Sequence, residues 1–222
     1  MIKRLLITLI LLSALCPAGA VTPEAADSMI GALNHVLDRR DTYFIYRTYS
    51  IDSLGLALKR LDTSDHRRRA ALLHQIYMQY SSYQSDSARA FADRELEAAI
   101  LTGDKELVTI AQSDRLFSFI SGGLFSDGID VVRQTSLEGV SPATRALFYF
   151  RCIRLYSDMS NYADGTFRDR NASLSRAYSD SVMTLLPRQS YMATYASIFM
   201  TMSTMTLDQK ISTFHDLLNR ND

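Results

Sequence analysis

Apolar residues recur every three to four positions along almost the whole chain, and this helical periodicity restricts the fold more than any other feature. A clear example is the stripe formed by Met29, Leu33, Val36 and Leu37. Strand-like alternation is scarce, and only four prolines and nine glycines interrupt the 222 residues. Spacings of three and four place apolar side chains on one face of a helix. The sequence therefore predicts an all-α fold.

Turn residues divide this periodic sequence into helices. A first helical region is predicted from Pro23 to about Leu61. Gly103 is expected to end a later helix in the left-handed conformation, and Ser141-Pro142 to begin another with a capping serine. A polar loop is predicted from Ala163 to Asn171. Because the connections are short, neighbouring helices should form antiparallel hairpins that stack side by side.

Aromatic pairs with the same internal spacing recur at intervals of roughly 40 residues, a period typical of stacked helical hairpins. The pairs are Tyr77 and Tyr83, Phe119 and Phe125, Tyr156 and Tyr162, and, with a methionine as second member, Phe199 and Met205. The first member should pack a helix onto its partner, and the second should fill the turn. Repeats are predicted at residues 66–102, 104–136, 141–187 and 189–220, after an N-terminal helical segment at residues 21–65. The expected architecture is a superhelix like that of tetratricopeptide repeats.

The first 20 residues have the features of an export signal. Two cationic residues, Lys3 and Arg4, precede an apolar run from Leu5 to Leu15, and small residues allow cleavage after Ala20. The run is too short to cross a bilayer core of roughly 30 Å. Cys16 suggests a lipid anchor, but Leu15 stands where a small residue should precede a lipid-bearing cysteine. The prediction is a cleaved leader and a periplasmic protein.

Charge and cysteine content limit the classes of partner. Lys and Arg total 24, as do Asp and Glu, so no basic field attracts nucleic acid to this segment. Cys152 is the one cysteine beyond the leader, and its apolar neighbours predict a buried structural thiol. Membrane attachment is expected only through the leader or through a segment beyond residue 222.

No catalytic, cofactor-binding or metal-binding set is predicted. The histidines lack metal-ligand spacing and are expected at the surface or at helix caps: His35, His66, His74 and His215. Glu95 is expected on a helix surface, beside Arg94 and Glu97. Three polar residues of the predicted loop suggest calcium, but their spacing misses the alternating ligand pattern, and a solvated loop is predicted: Asp164, Asp169 and Asn171.

The segment Gly123-Leu124-Phe125-Ser126-Asp127-Gly128 resembles the turn of a tetratricopeptide repeat, where a glycine, an aromatic and a small residue mark the helix crossing. The layout from Leu33 through residues 39–43, 51–54 and 80–88 is similar to an uncharacterised family of membrane-bound regulators of Gram-negative gut bacteria. In that family the exported repeat domain precedes a transmembrane helix, a coiled segment and a cytoplasmic helix-turn-helix. The resemblance covers nearly all of residues 1–220 and implies that this chain is the sensory half, without the membrane helix and the DNA-binding domain.

These observations favour a non-enzymatic periplasmic domain that binds a peptide, a protein or a small molecule, with no cofactor. In the native protein it would be anchored to the inner membrane by the missing C-terminal part. Side chains on the inner helices are the candidate groove residues: Tyr80, Arg115, Arg151 and Arg154. The alternative is a free periplasmic scaffold that assembles an envelope complex. A third hypothesis, an enzyme acting for instance on glycans, depends only on scattered carboxylates.

Overall fold

The computed structural model describes residues 22–201 and 205–218, and over these ranges the chain is helical, without a β-strand. The all-α prediction is confirmed. The predicted export signal lies outside the described residues. None of the described helices combines the length and the hydropathy needed to cross a membrane. The helices are α1 (Pro23–Asp38), α2 (Arg40–Arg60), α3 (His66–Tyr80), α4 (Ser85–Thr102), α5 (Lys105–Ser121), α6 (Phe125–Gln134), α7 (Pro142–Asn161), α8 (Gly165–Leu185), α9 (Tyr191–Thr201) and α10 (Leu207–Leu218).

Among the described residues, α1 and the beginning of α2, up to Ser50, belong to a first unit. The helical region predicted to start at Pro23 is interrupted only at Arg39. The apolar stripe of α1 faces solvent, and Leu33 is 56% exposed. Aromatic residues at the start of α2 are exposed as well: Tyr43, Phe44, Tyr46 and Tyr49. In this unit apolar residues recur with helical periodicity, but none of its described residues is buried.

A second unit begins at Ile51 and contains the rest of α2 and all later helices. Helix α3 packs against α4, and α7 packs against α8. Helix α5 contacts α4, α6 and α7, and α9 contacts α8. The helices α3, α5 and α7, each the first of its hairpin, also contact one another in succession. We call the surface that these three helices share the first-helix face.

Local capping signals explain where several helices begin and end. Asp65 and Asp104 accept hydrogen bonds from backbone N–H groups in the first turns of α3 and α5. Ser141 caps α7 in the same way, with Pro142 in the first turn, as the sequence predicts. Gly103 ends α4 with a φ of 68°, which confirms the predicted left-handed cap.

The predicted polar loop from Ala163 to Asn171 was wrong, because α8 already begins at Gly165. The face of α8 that packs inward carries three polar residues, Asn171, Ser175 and Ser179. Its first buried aliphatic residue is Val182. The Ser175 hydroxyl donates a hydrogen bond to the Ile153 carbonyl oxygen of α7, 3.2 Å away. The part of α8 inside the predicted loop, residues 165–170, is exposed and largely polar, so it lacks the apolar periodicity by which helices are recognised.

The aromatic pairs behave as predicted only in part. Tyr77 and Phe119 are buried, whereas Tyr83 and Tyr162 are exposed and do not fill a turn. Tyr83 instead lies against Tyr80, with ring centroids 5.8 Å apart. The side chain of Phe199 lies outside the described residues.

Two apolar clusters form most of the described core of the second unit. One joins α3, α4 and α5 around Leu73 and Leu96, and the other joins α5, α6 and α7 around Leu116 and Phe148. Cys152 belongs to the second cluster and is fully buried, which confirms the predicted structural thiol. Burial raises the pKa of the Cys152 thiol, so it stays protonated and unreactive.

Candidate functional site

Three ionisable side chains from three helices meet where α3, α4 and α5 pack together. His74 comes from α3, Glu95 from α4 and Asp114 from α5. His74 Nδ1 lies 2.7 Å from Asp114 Oδ2 and 3.3 Å from Glu95 Oε1. The Glu95 and Asp114 side chains are 4% and 3% exposed, whereas His74 is 37% exposed. The cluster is therefore buried on its carboxylate side and open to solvent at the imidazole.

His74 carries a proton at neutral pH. Hydrogen bonds to Asp114 and then Glu95 raise the pKa of His74 to about 10, against the opposing effect of burial. The protonated Nδ1–H donates to the Asp114 carboxylate. The imidazolium thus forms a charge-assisted hydrogen bond at a contact between α3 and α5.

Glu95 is the member of the cluster whose buried charge is compensated least. Burial raises the pKa of Glu95 to about 7, opposed by His74 and reinforced by the neighbouring Asp114 charge. Its Oε2 atom is buried without a hydrogen-bond partner. A buried charged oxygen without a partner is costly, so Glu95 exchanges its proton in the neutral pH range.

Tyr77 and Arg151 complete the surroundings. The Tyr77 hydroxyl is buried and has no hydrogen-bond partner, and burial followed by the Asp114 charge raises the pKa of Tyr77. Arg151 of α7 places Nη2 3.8 Å from Asp114 Oδ1. Its guanidinium lies over the Phe117 ring, 4.4 Å from the ring centroid. These contacts hold Arg151 beside Asp114 Oδ1, whereas Oδ2 of the same carboxylate lies beside His74.

Sequence reasoning missed this cluster. The prediction of a surface Glu95 was wrong, and His74, expected at the surface or at a helix cap, instead meets two buried carboxylates between packed helices. Glu95 lies on the buried stripe of α4 with Ala92 and Ala99, at helical spacing that a helical wheel reveals. Asp114 follows His74 by 40 residues, and Arg151 comes roughly one repeat later. Aligning the repeats on their aromatic pairs places Asp114 and Arg151 at matching positions, about five residues before Phe119 and Tyr156, but leaves His74 out of register.

The four candidate groove residues all belong to the first helices of their hairpins, α3, α5 and α7, but they do not form one group. Arg151 joins the His74 cluster. Arg115 Nε donates to Asp93 of α4 over 2.7 Å, and its guanidinium lies over Phe119. Their assignment to ligand binding stays a prediction.

The other two candidates have different surroundings. Tyr80 stacks on Phe91, with ring centroids 5.5 Å apart. Arg154 Nε donates to Asp158 of its own helix over 2.7 Å, and about half of its side chain is exposed. Tyr80 therefore belongs to a contact within its own hairpin, whereas Arg154 also interacts with Tyr195 of α9.

The side chains of the cluster are suited to binding an ion or a polar ligand. One imidazole nitrogen and one oxygen from each carboxylate lie within 4.8 Å of one another, so the three side chains are able to ligate a metal ion. Together with Arg151 they also offer donors and acceptors to a polar ligand at the exposed His74 edge.

Comparisons with known proteins give a family for the chain. Neither the curated proteins nor the solved structures include a significant match. A family model described as the SusR N-terminal TPR domain matches residues 37–222. This confirms the resemblance to the tetratricopeptide-like N-terminal domain of a regulator family. The chain belongs to the SusR N-terminal TPR domain family and is a helical-repeat domain of SusR-like regulators.

Proposed function

We propose that the chain is the exported, ligand-sensing domain of a membrane-bound SusR-like regulator. The observation that carries the proposal is the row His74, Asp114 and Arg151, which joins successive first helices at the partly exposed first-helix face. A peptide, protein or small polar molecule bound there would touch His74 of α3 and Arg151 of α7, which lie on either side of the buried Asp114 of α5.

Such a ligand would act by changing how the hairpins pack. In a stacked repeat each hairpin contacts only its neighbours, so a ligand that spans several hairpins favours one arrangement of the stack. The ion pairs Arg115–Asp93, between α5 and α4, and Arg154–Asp158, within α7, are partly exposed. Exchanging such pairs for ligand contacts provides the differential binding that a sensor needs.

The proposed role is non-enzymatic. Helical-repeat families of this type are typically non-enzymatic. Arg115, Arg151 and Arg154 each lie near a carboxylate, an arrangement suited to holding and orienting a polar partner.

Export is tested by fusing alkaline phosphatase after Asp222, because this reporter folds into its active form only outside the cytoplasm. We expect an active fusion, and loss of activity when residues 5–15 are deleted. A stable but inactive fusion would contradict export.

Sensing is tested in the native host by comparing transcripts in the wild type, a gene deletion and an Arg154→Ala strain. The matched control is Arg133→Ala, which removes an exposed arginine of an ion pair on α6. We expect the deletion to change a restricted gene set, Arg154→Ala to reproduce part of that change, and Arg133→Ala to leave it intact. A deletion without any change in transcripts would support the scaffold alternative and overturn sensing.

A further inference from the structure

We propose that His74, Glu95 and Asp114 form a binding site for a divalent transition-metal ion, with Zn²⁺ as the best match. The three ligand atoms come from three helices and lie within 4.8 Å of one another. Three protein ligands from nitrogen and oxygen donors, with a further position open to water, is a common arrangement for zinc. This inference is independent of export and of sensing, because it needs only the packing of α3, α4 and α5.

The distances fit one small ion after minor adjustment. A Zn²⁺ ion about 2.1 Å from each donor holds tetrahedral neighbours about 3.4 Å apart. His74 Nδ1 and Glu95 Oε1 are 3.3 Å apart, which matches that edge. His74 Nδ1 and Asp114 Oδ2 are 2.7 Å apart, a hydrogen-bond distance that must lengthen by several tenths of an ångström. The Nδ1 proton that makes this hydrogen bond leaves to solvent when the ion takes its place, because only the unprotonated nitrogen ligates a metal. Small side-chain rotations supply that change.

Independently of these distances, two buried polar groups in the site lack a hydrogen-bond partner. Glu95 Oε2 is buried and has no hydrogen-bond partner, although its side chain is 4% exposed. The Tyr77 hydroxyl, which interacts electrostatically with both carboxylates, is likewise buried without a partner. Buried carboxylates are normally paired or coordinate a metal. A cation between the two carboxylates removes this deficit.

The surroundings support the ligands as an outer shell does in metal proteins. Arg151 faces Asp114 Oδ1 at 3.8 Å, which leaves Oδ2 directed at His74. Its stacking on Phe117 restricts the guanidinium to this position. Ligating carboxylates are usually oriented by such second partners. The partly exposed imidazole provides the route by which an ion reaches the buried oxygens.

The test uses untagged protein stripped with EDTA and titrated with Zn²⁺ in a calorimeter. We expect one ion per chain. Glu95→Gln and Asp114→Asn should weaken binding at least about tenfold, because each replaces a charged ligand by a neutral isostere. The matched control Glu97→Gln changes an exposed carboxylate on the same helix and should leave affinity unchanged. No measurable binding, or equal affinity in Glu95→Gln and in the wild type, overturns the site.

A second measurement needs no variant and therefore survives any folding defect. Paramagnetic Co²⁺ added to the wild-type protein should broaden the NMR signals of His74 first among the four histidines. Broadening that begins at His35, His66 or His215 instead would overturn the site.

Discussion

Helices α1 and α3 have nearly the same length, 16 and 15 residues, and both carry apolar residues at helical spacing, yet their surroundings differ. In α3 the apolar residues Leu73 and Ile76 are buried against α4 and α5. In α1 the equivalent stripe, including Leu33, is exposed. Periodicity thus determines that a helix forms, whereas burial depends on a neighbouring helix with a complementary face.

The same difference explains where charges can be buried. Glu95 and Asp114 are almost inaccessible because α3, α4 and α5 surround them and supply His74 as a partner. The described residues of the first unit offer no buried position of this kind. A buried charged site is therefore a property of the stacked unit.

The largest expected contrast is between two leucines. Leu73→Ala should destabilise the protein by about 2–5 kcal/mol, because it leaves a cavity in the core of α3 and α4. Leu33→Ala in α1 should change the free energy of unfolding by less than about 0.5 kcal/mol. Urea unfolding followed by circular dichroism measures both. Equal losses would mean that α1 is packed as tightly as α3.

Removing one partner of the buried cluster should have the next largest effect. Asp114→Asn should cost about 3 kcal/mol, because His74 and Arg151 lose their common counter-charge while the other groups stay buried. Asp158→Asn, which breaks the more exposed pair with Arg154, should cost less than about 1 kcal/mol. The two variants are compared by urea unfolding in EDTA. Similar costs would show that burial does not distinguish the two pairs.

Two glycines provide a smaller contrast with opposite signs. A Cβ at Gly128 in α6 would lie 3.1 Å from Leu155 Cδ1 and 3.4 Å from Leu116 Cδ1, so Gly128→Ala should destabilise by about 1 kcal/mol. A Cβ at Gly31 in α1 meets nothing within 4 Å, so Gly31→Ala should stabilise α1 by up to about 1 kcal/mol. Thermal melts of both variants test this. Stabilisation by Gly128→Ala would mean that the leucines move aside freely.

The last expected effect is a dependence of stability on pH. The pKa of His74 is about 10 in the folded chain and 6.5 in the reference state, so its contribution is complete below pH 6.5 and lost as pH rises through 10. Glu95, whose pKa is raised from 4.5 to about 7, shifts stability in the same direction between those values. Midpoints of urea unfolding in EDTA should therefore fall from acid to alkaline pH.

The matched variant for this prediction is His74→Gln, which should flatten the alkaline part of the curve. An identical slope in the variant and in the wild type would assign the pH dependence to other groups.

Much of the fold could be predicted from the sequence because local signals determine helix ends. The Ser141-Pro142 and Gly103 positions act through their own backbone neighbours, and the structure has them as expected. The start of α8 could not be predicted in this way, because residues 165–170 are exposed and largely polar, and its first buried residue, Asn171, is buried by a contact between helices and not by its own hydrophobicity. Local patterns do not report such contacts.

The site is a more severe case of the same limitation. His74 and Asp114 are 40 residues apart, and each resembles an ordinary helix-surface residue when taken alone. Only the stacking of hairpins brings them to hydrogen-bond distance. Glu95 differs from these two residues, because its helical spacing already places it on the alanine stripe of α4. A charged residue on such a stripe is directed into the core.

The central claim is that stacked helices bury a charged cluster around a protonated His74. Nitrogen NMR of the histidine side chains over a pH titration in EDTA tests it directly, with His74→Gln identifying the signal. The account predicts that the His74 imidazole keeps its proton well above its reference pKa of 6.5 and loses it near pH 10. Titration at or below 6.5 would show that Glu95 and Asp114 do not hold this imidazole, and would contradict the account.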